Sequence, residues 1–219
     1  MGGGEYVEGW YGREVQFLSS IYHQLNVYSN VVKDAFDGGR NSAEYTSNTL
    51  SDQLKFIARL ISGGLKTRVF VANIGRFDTH ANQVSVSDPS AGAHPNRLRE
   101  ISTAIANFMV DLKKQDLDKQ VAGMIYSEFG RRIRSNGSRG TDHGTAAPMF
   151  IFGSCVKGGV TGNNADLSGE ISVSAGVPMQ HDFRSIYGSL LIDWFGSSEG
   201  EVKALLFEDF KYISLRIKY

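Results

Sequence analysis

A strand, a long helix and a second strand follow one another in the middle of the chain, and this order most restricts the fold. Residues 67–74 form a nearly continuous apolar run, which is typical of a buried strand. Apolar residues then recur at helical spacing over 96–115, and a second apolar run covers 121–126. Because a crossover helix joins parallel strands, this order predicts an α/β fold with a mainly parallel sheet.

The remaining segments fit the same layout. Apolar residues at helical spacing predict further helices over 13–36, 50–62, 182–195 and 199–207. A short apolar run predicts a third strand over 149–153. In open α/β sheets, chemistry collects in the loops beyond the carboxyl ends of the strands. We therefore expect functional residues in the loops that begin at Gly75, Ser127 and Gly153.

Composition and charge exclude several classes of protein. The 219 residues are 41% hydrophobic and 21% charged, which suits one folded domain. The 23 basic side chains balance the 23 acidic ones, so no net positive field favours nucleic acid or an anionic membrane. No apolar run is long enough to predict a membrane span, and the first residues do not resemble a signal peptide.

Two aspartate–histidine pairs open from the ends of predicted strands. Residues two apart in an extended segment project to the same side, so Asp78 and His80 would hold one ion together. Adjacent residues point in opposite directions, so Asp142 and His143 would serve one ion each. The two pairs together predict a two-metal site.

A pair of divalent ions can polarise a phosphoryl or sulfuryl oxygen and lower the pKa of a bound water or hydroxyl. Imidazole with carboxylate suits zinc, manganese or iron, whereas a more oxygen-rich set suits calcium or magnesium. Both choices stay open at this point. His181 is a further candidate ligand, although Asp182 beside it would equally serve as the N-cap of the next predicted helix.

Other charged residues fit the same chemistry. Glu128 follows the second predicted strand and is a candidate metal ligand or base. Forked hydrogen bonds from guanidinium groups would hold an anionic ester or sulfate, and the candidates are Arg131, Arg132 and Arg184. The alternative is structural, because short motifs occur often by chance and a histidine beside an aspartate is commonly a satisfied surface residue.

Five motifs, in this order along the chain, resemble the sulfatase-like proteins of domain of unknown function 1501, a family of the alkaline phosphatase superfamily. They are LISGGLKTRVF (60–70), FDTHANQ (77–83), SEFGRR (127–132), NGSRGTDHG (136–144) and DFR (182–184). The resemblance runs from about Leu50 to the C-terminus. It implies an alkaline-phosphatase-like three-layer α/β sandwich and a metal-dependent hydrolase of sulfate or phosphate esters.

The resemblance also implies roles for individual residues. Two divalent ions, drawn from Zn, Ca, Mg or Mn, would be held by Asp78, His80, Asp142, His143 and His181. The residues that would act on a small anionic ester are Glu128, Arg131 and Arg184.

Members of this family are usually longer, and they carry an early nucleophile and a twin-arginine export signal. We therefore expect residues 1–45 to form an N-terminal helical segment and residues 46–219 to be the C-terminal half of the domain. The missing N-terminal half would belong to the full-length protein, which we expect in the periplasm or at the cell surface. The alternative is a non-catalytic binding or scaffold protein on a degenerate hydrolase fold, which the absent nucleophile motif favours.

Overall fold

The computed structural model describes residues 9–217; residues 1–8 of the predicted N-terminal segment and residues 218–219 lie outside this part. Its helices are α1 (Trp10–Gly38), α2 (Thr49–Ser62), α3 (Ala93–Lys114), α4 (Phe183–Asp193) and α5 (Glu199–Leu205), with a 3-10 turn at Asp118–Gln120. Its strands are β1 (Gly123–Ile125), β2 (Gly130–Arg131), β3 (His143–Gly144) and β4 (Phe150–Phe152). The helices predicted from apolar spacing are confirmed, with ends displaced by a few residues.

The main apolar core lies between α2 and α3. Helix α2 begins at the N-cap Asn48, whose side chain accepts a hydrogen bond from the backbone of Ser51 at 2.9 Å. Residues four apart lie on one face of a helix, so each helix presents a single apolar stripe to the other. The buried members of the two stripes are Leu50, Leu54, Ala58, Ala104, Phe108 and Leu112. The segment that precedes Asp78 packs on this helix pair through Ala72 and Ile74.

The buried carboxylate of Asp111 ties the segment between α1 and α2 to helix α3. Its Oδ2 accepts hydrogen bonds from Asn41 Nδ2 at 2.8 Å and from Tyr45 Oη at 2.9 Å. Its Oδ1 accepts from the Ser42 backbone at 2.5 Å and from Gln115 Nε2 at 2.8 Å. Burial and the bond to Asp111 raise the pKa of Tyr45 well above its usual value, so this phenol stays a donor. Four donors therefore satisfy a carboxylate that water does not reach.

The strands of residues 9–217 pair in antiparallel fashion. Strand β1 pairs with β4, and Gly123 lies opposite Phe152. Strand β2 pairs with β3, and Arg131 lies opposite His143. The predicted parallel sheet is not found among these pairs, so the alkaline-phosphatase-like sandwich stays a prediction.

The predicted strand over 67–74 is not assigned as a strand in the structure. Alternate side chains still face the core, because Ala72 and Ile74 pack against the α2–α3 cluster. Between them, Val71 is 78% exposed. The Gln53 side chain bonds to both the N–H and the C=O of Asn73, at 3.0 and 2.8 Å, in the way that a neighbouring strand would. The segment thus has the side-chain alternation of a strand, but no strand of residues 9–217 pairs with it.

Helix α1 packs against α2 near its C-terminal end. There Ala35 is buried, and the rings of Phe36 and Phe56 lie 5.2 Å apart. Further towards the N-terminus large apolar side chains are exposed, among them Trp10 (72%) and Tyr22 (70%). None of the helices in residues 9–217 combines the length and apolar character needed to cross a membrane.

Replacing Asp111 by asparagine should destabilise the fold. The new amide N–H₂ would replace one carboxylate oxygen, so two of the four donors would lose their acceptor. Buried donors without acceptors lower the free energy of unfolding by about 2–3 kcal/mol. Urea denaturation followed by circular dichroism measures this loss. Asp116→Asn is the matched control, because Asp116 is exposed at the same end of α3 with φ 57°, a conformation that asparagine adopts readily. Equal stability of the two variants would contradict the anchoring role of Asp111.

Candidate metal centre

Two segments about sixty residues apart meet to form the candidate site. The first follows residues 67–74, and the second joins β2 to β3. Backbone bonds connect them: Asn82 N–H donates to Ser138 C=O at 3.0 Å, and Gln83 N–H donates to Arg139 C=O at 2.9 Å. The Thr141 N–H donates to the Thr79 C=O at 3.2 Å. The two segments thus meet along their main chains as well as through side chains.

The side-chain amide of Gln83 adds a second link between the two segments. Its Oε1 accepts hydrogen bonds from Thr79 Oγ1 at 2.9 Å and from Thr141 Oγ1 at 2.7 Å. Both threonines are buried. Since Thr79 lies between Asp78 and His80, and Thr141 precedes Asp142, this link fixes the distance between the two aspartate–histidine pairs.

Gly140 lets the two segments approach each other closely. A Cβ atom at this position would lie 2.2 Å from both the carbonyl carbon and the oxygen of His80. Such a contact with backbone atoms is far inside van der Waals distance, so a larger residue would push the segments apart. Gly140 therefore has a packing role that the sequence alone did not reveal.

Three side chains converge through their metal-binding atoms. His143 Nε2 lies 2.7 Å from Asp78 Oδ1, and His80 Nε2 lies 3.1 Å from the same oxygen. The two Nε2 atoms are 3.1 Å apart. One ligand atom from each of the three residues lies within 4.8 Å of the others. We call Asp78, His80 and His143 the ligand cluster.

Two neighbouring side chains support the ligand cluster. Phe129 stacks on the His143 ring with centroids 4.0 Å apart and an interplanar angle of 22°. Arg131, directly across the β2–β3 pair from His143, donates to Asp78 Oδ1 at 3.0 Å and to the Thr141 C=O at 2.7 Å. Arg131 also donates to the Phe77 C=O. Its guanidinium therefore holds the Asp78 segment against the β2–β3 connection.

Asp142 lies on the other side of the His80 ring from the ligand cluster. Its Oδ1 is 3.2 Å from His80 Nδ1, whereas Asp78 and His143 face Nε2 of that ring. The Asp142 carboxylate also accepts a hydrogen bond from Asn136 Nδ2 at 3.2 Å and lies 3.5 Å from Arg132 Nη1. The sequence predicted that Asp142 and His143 serve one ion each; in the structure Asp142 faces Nδ1 of His80 and His143 faces Nε2.

The electrostatics of the site favour ionised carboxylates. The hydrogen bond from His143 is the main cause that lowers the pKa of Asp78, with His80 and Arg131 contributing. The hydrogen bond from Asn136, followed by that from His80, lowers the pKa of Asp142. Both groups are therefore negative at neutral pH, which is the form that binds a cation or accepts a histidine proton.

Besides Asp142 and the arginines that adjoin the site, the predicted site residues Glu128, His181 and Arg184 lie outside the ligand cluster. Glu128 is exposed, and His181 lies beside Gly162. Arg184 pairs with Asp182 at 2.7 Å and lies over the Phe207 ring at 4.2 Å. The alternative role for Asp182 is observed, since its carboxylate accepts from the Arg184 backbone at 2.8 Å and caps α4.

Sequence reasoning missed three residues that shape the site: Gln83, Phe129 and Asn136. Each lies within one of the five motifs that resemble the family, but none is a usual metal ligand. Asn136 precedes Gly137, a pair that sequence rules interpret as a turn. Its role depends on residues from the other segment, so no local pattern identifies it.

The sequence model of the family DUF1501, described as a protein of unknown function, matches residues 14–194. Because this match covers most of the chain, the protein belongs to that family. No curated protein and no solved structure matches the chain. The family predicted from the five motifs is thus confirmed.

Gly140→Ala should damage both the fold and the site. The added methyl group would force the His80 backbone to move, and overpacking of this kind costs about 1–3 kcal/mol of unfolding free energy. Chemical denaturation measures the loss. Gly137→Ala is the matched control in the same connection, because a Cβ there meets nothing within 4 Å. If both variants unfold at the same denaturant concentration as the parent chain, the close approach at Gly140 is not a constraint.

Proposed function

We propose that this chain is the metal-binding part of a metal-dependent hydrolase that acts on sulfate or phosphate esters. The observation that carries the proposal is the convergence of Asp78 Oδ1, His80 Nε2 and His143 Nε2 within 4.8 Å. Two imidazoles and one carboxylate suit zinc, manganese or iron. All three side chains are exposed to solvent, so water or substrate has access to an ion held there.

The remaining charges suit an anionic ester. A bound divalent ion supplies a Lewis acid and lowers the pKa of a coordinated water. Arg131 uses its donors on Asp78 and on backbone carbonyls, so we assign it to holding the ligand cluster together. Arg132 borders the cluster through its 3.5 Å ion pair with Asp142, and we assign its guanidinium to the anionic group of the substrate.

The ligand cluster supports one ion. A second ion, as the resemblance implies, would need ligands beyond Asp78, His80 and His143. We propose that a further part of the hydrolase domain supplies them, together with the nucleophile. The roles proposed for Glu128, His181 and Arg184 would likewise depend on groups outside the ligand cluster.

Exposed apolar surface supports the proposal that this chain is one part of a larger domain. Helix α1 exposes a series of large apolar side chains, including Phe17, Leu18 and Leu25. The segment 67–74 exposes Val69 and Val71, and within the described part of the chain no strand pairs with it. A covering layer of helix and sheet would bury both features, as in the alkaline-phosphatase-like sandwich that the resemblance implies. Location in the periplasm or at the cell surface stays a prediction.

A second candidate function is a non-catalytic scaffold, and one observation favours it. The residues of the site already satisfy one another: Asp78 Oδ1 accepts from His143 and from Arg131, at 2.7 and 3.0 Å. The Arg131 guanidinium therefore already supplies part of the positive charge that a cation beside Asp78 Oδ1 would supply. On this alternative, the aspartate–histidine pairs hold two segments together and bind no ion.

Metal binding separates the two candidates. We expect the purified chain to bind close to one equivalent of Zn²⁺ in isothermal titration calorimetry. His143→Ala should abolish this binding, because it removes one of three ligands. His23→Ala, which changes an exposed histidine on α1, is the matched control and should bind as the parent chain does. Unchanged Zn²⁺ binding by His143→Ala would contradict the assignment.

Hydrolysis is tested in a separate experiment. We expect 4-nitrophenyl phosphate or 4-nitrophenyl sulfate to be cleaved by a family member that contains both this segment and a nucleophile. The activity should be lost on chelation and restored by added Zn²⁺ or Mn²⁺. Stoichiometric metal binding without cleavage of an ester panel would favour the scaffold.

A further inference from the structure

We propose that Asp142 is a positioning residue of the metal site, which holds the His80 ring so that Nε2 faces the ion. This inference rests on the proposed metal-binding function. It assigns to Asp142 a role different from the direct ligation that the sequence predicted. Asn136 supports Asp142 in the same role.

The first step is the direction of the His80 ring. Its Nε2 lies 3.1 Å from Asp78 Oδ1 and 3.1 Å from His143 Nε2, at the centre of the ligand cluster. Its Nδ1 lies 3.2 Å from Asp142 Oδ1. The ring therefore lies between the ligand cluster on one side and the Asp142 carboxylate on the other.

The second step is the location of the proton. A neutral imidazole carries one N–H, and a nitrogen that binds a metal must offer its lone pair. If Nε2 of His80 binds the ion, its proton is on Nδ1, where the Asp142 carboxylate is in position to accept it. A carboxylate behind a metal-binding histidine fixes the tautomer and raises the basicity of the ligand.

The third step is the support of Asp142 itself. Asn136 Nδ2 donates to Asp142 Oδ1 at 3.2 Å and to the His80 C=O at 2.8 Å. Asn136 Oδ1 accepts from the backbone of Ser138 at 2.9 Å and of Gly140 at 3.1 Å. Because backbone N–H groups take the amide oxygen, the amide nitrogen must face Asp142. The orientation of the Asn136 amide is therefore determined by its partners.

The test compares cobalt binding by the parent chain, Asp142→Asn and His80→Ala. Co²⁺ serves as the probe because its visible spectrum reports the number and type of ligands. We expect His80→Ala to lose binding. Asp142→Asn should bind the same number of ions with an unchanged spectrum, but with affinity reduced about 10–100-fold. Asp34→Asn, on the exposed surface of α1, is the charge-matched control and should bind as the parent does.

Two results would overturn the positioning role while the proposed function stands. If Asp142→Asn binds fewer ions or changes the cobalt spectrum, Asp142 is a direct ligand. If its affinity equals that of the parent, Asp142 does not orient His80. Circular dichroism verifies that the variant is folded. Asn136→Ala gives an independent measurement, because it leaves the carboxylate in place and should weaken Co²⁺ binding by a smaller factor.

Absence of metal binding by the parent chain would overturn the proposed function but would not decide the role of Asp142. Histidine ¹⁵N NMR of the metal-free chain then decides it. We expect the Nδ1–H tautomer of His80 to predominate in the parent chain, because Nδ1 faces the Asp142 carboxylate, and to lose that predominance in Asp142→Ala. An Nδ1 without a proton in the parent chain would overturn the positioning role.

Discussion

The candidate site depends on the contact between the segment 79–83 and the connection 138–141. Backbone hydrogen bonds join them, and the Gln83 side chain links the two buried threonines. Gly140 permits this contact because it leaves room for the His80 backbone. Bringing side chains from distant parts of a chain into one cluster has an entropic cost, and here hydrogen bonds between the two segments offset it. The positions of Asp78, His80 and His143 all follow from this contact.

Charge balance explains how such a site is stable in a folded chain. Two carboxylates, Asp78 and Asp142, flank the His80 ring, and each has a guanidinium neighbour: Arg131 for the first and Arg132 for the second. His80 lies between them and faces both, whereas His143 faces Asp78. A divalent ion would add positive charge beside Asp78, which Arg131 already contacts. Under the proposed function, the ion would therefore compete with a resident guanidinium for Asp78.

Helices were the part of the fold that sequence predicted best. The period of apolar residues in α2 and α3 is a local property, and the same residues form the buried cluster between them. The segment 67–74 shows the opposite case. Its alternating burial agrees with a strand, but a strand also requires main-chain partners from elsewhere. In residues 9–217 the Gln53 side chain is the partner found for Asn73, so local pattern alone overestimated the sheet.

The sequence by itself determined the residue types of the site and the family to which the chain belongs. Asp78, His80, Asp142 and His143 were identified because two short aspartate–histidine pairs follow apolar segments, and these pairs carry the chemistry of metal ligation. Only the tertiary structure decided which side of His80 each carboxylate occupies. Adjacent residues differ in direction according to the local backbone and its partners, so spacing cannot show which carboxylate faces Nε2 of His80 and which faces Nδ1. The physical reason is that Asn136, Arg131 and Gln83 act across the contact between two distant segments, which no local pattern records.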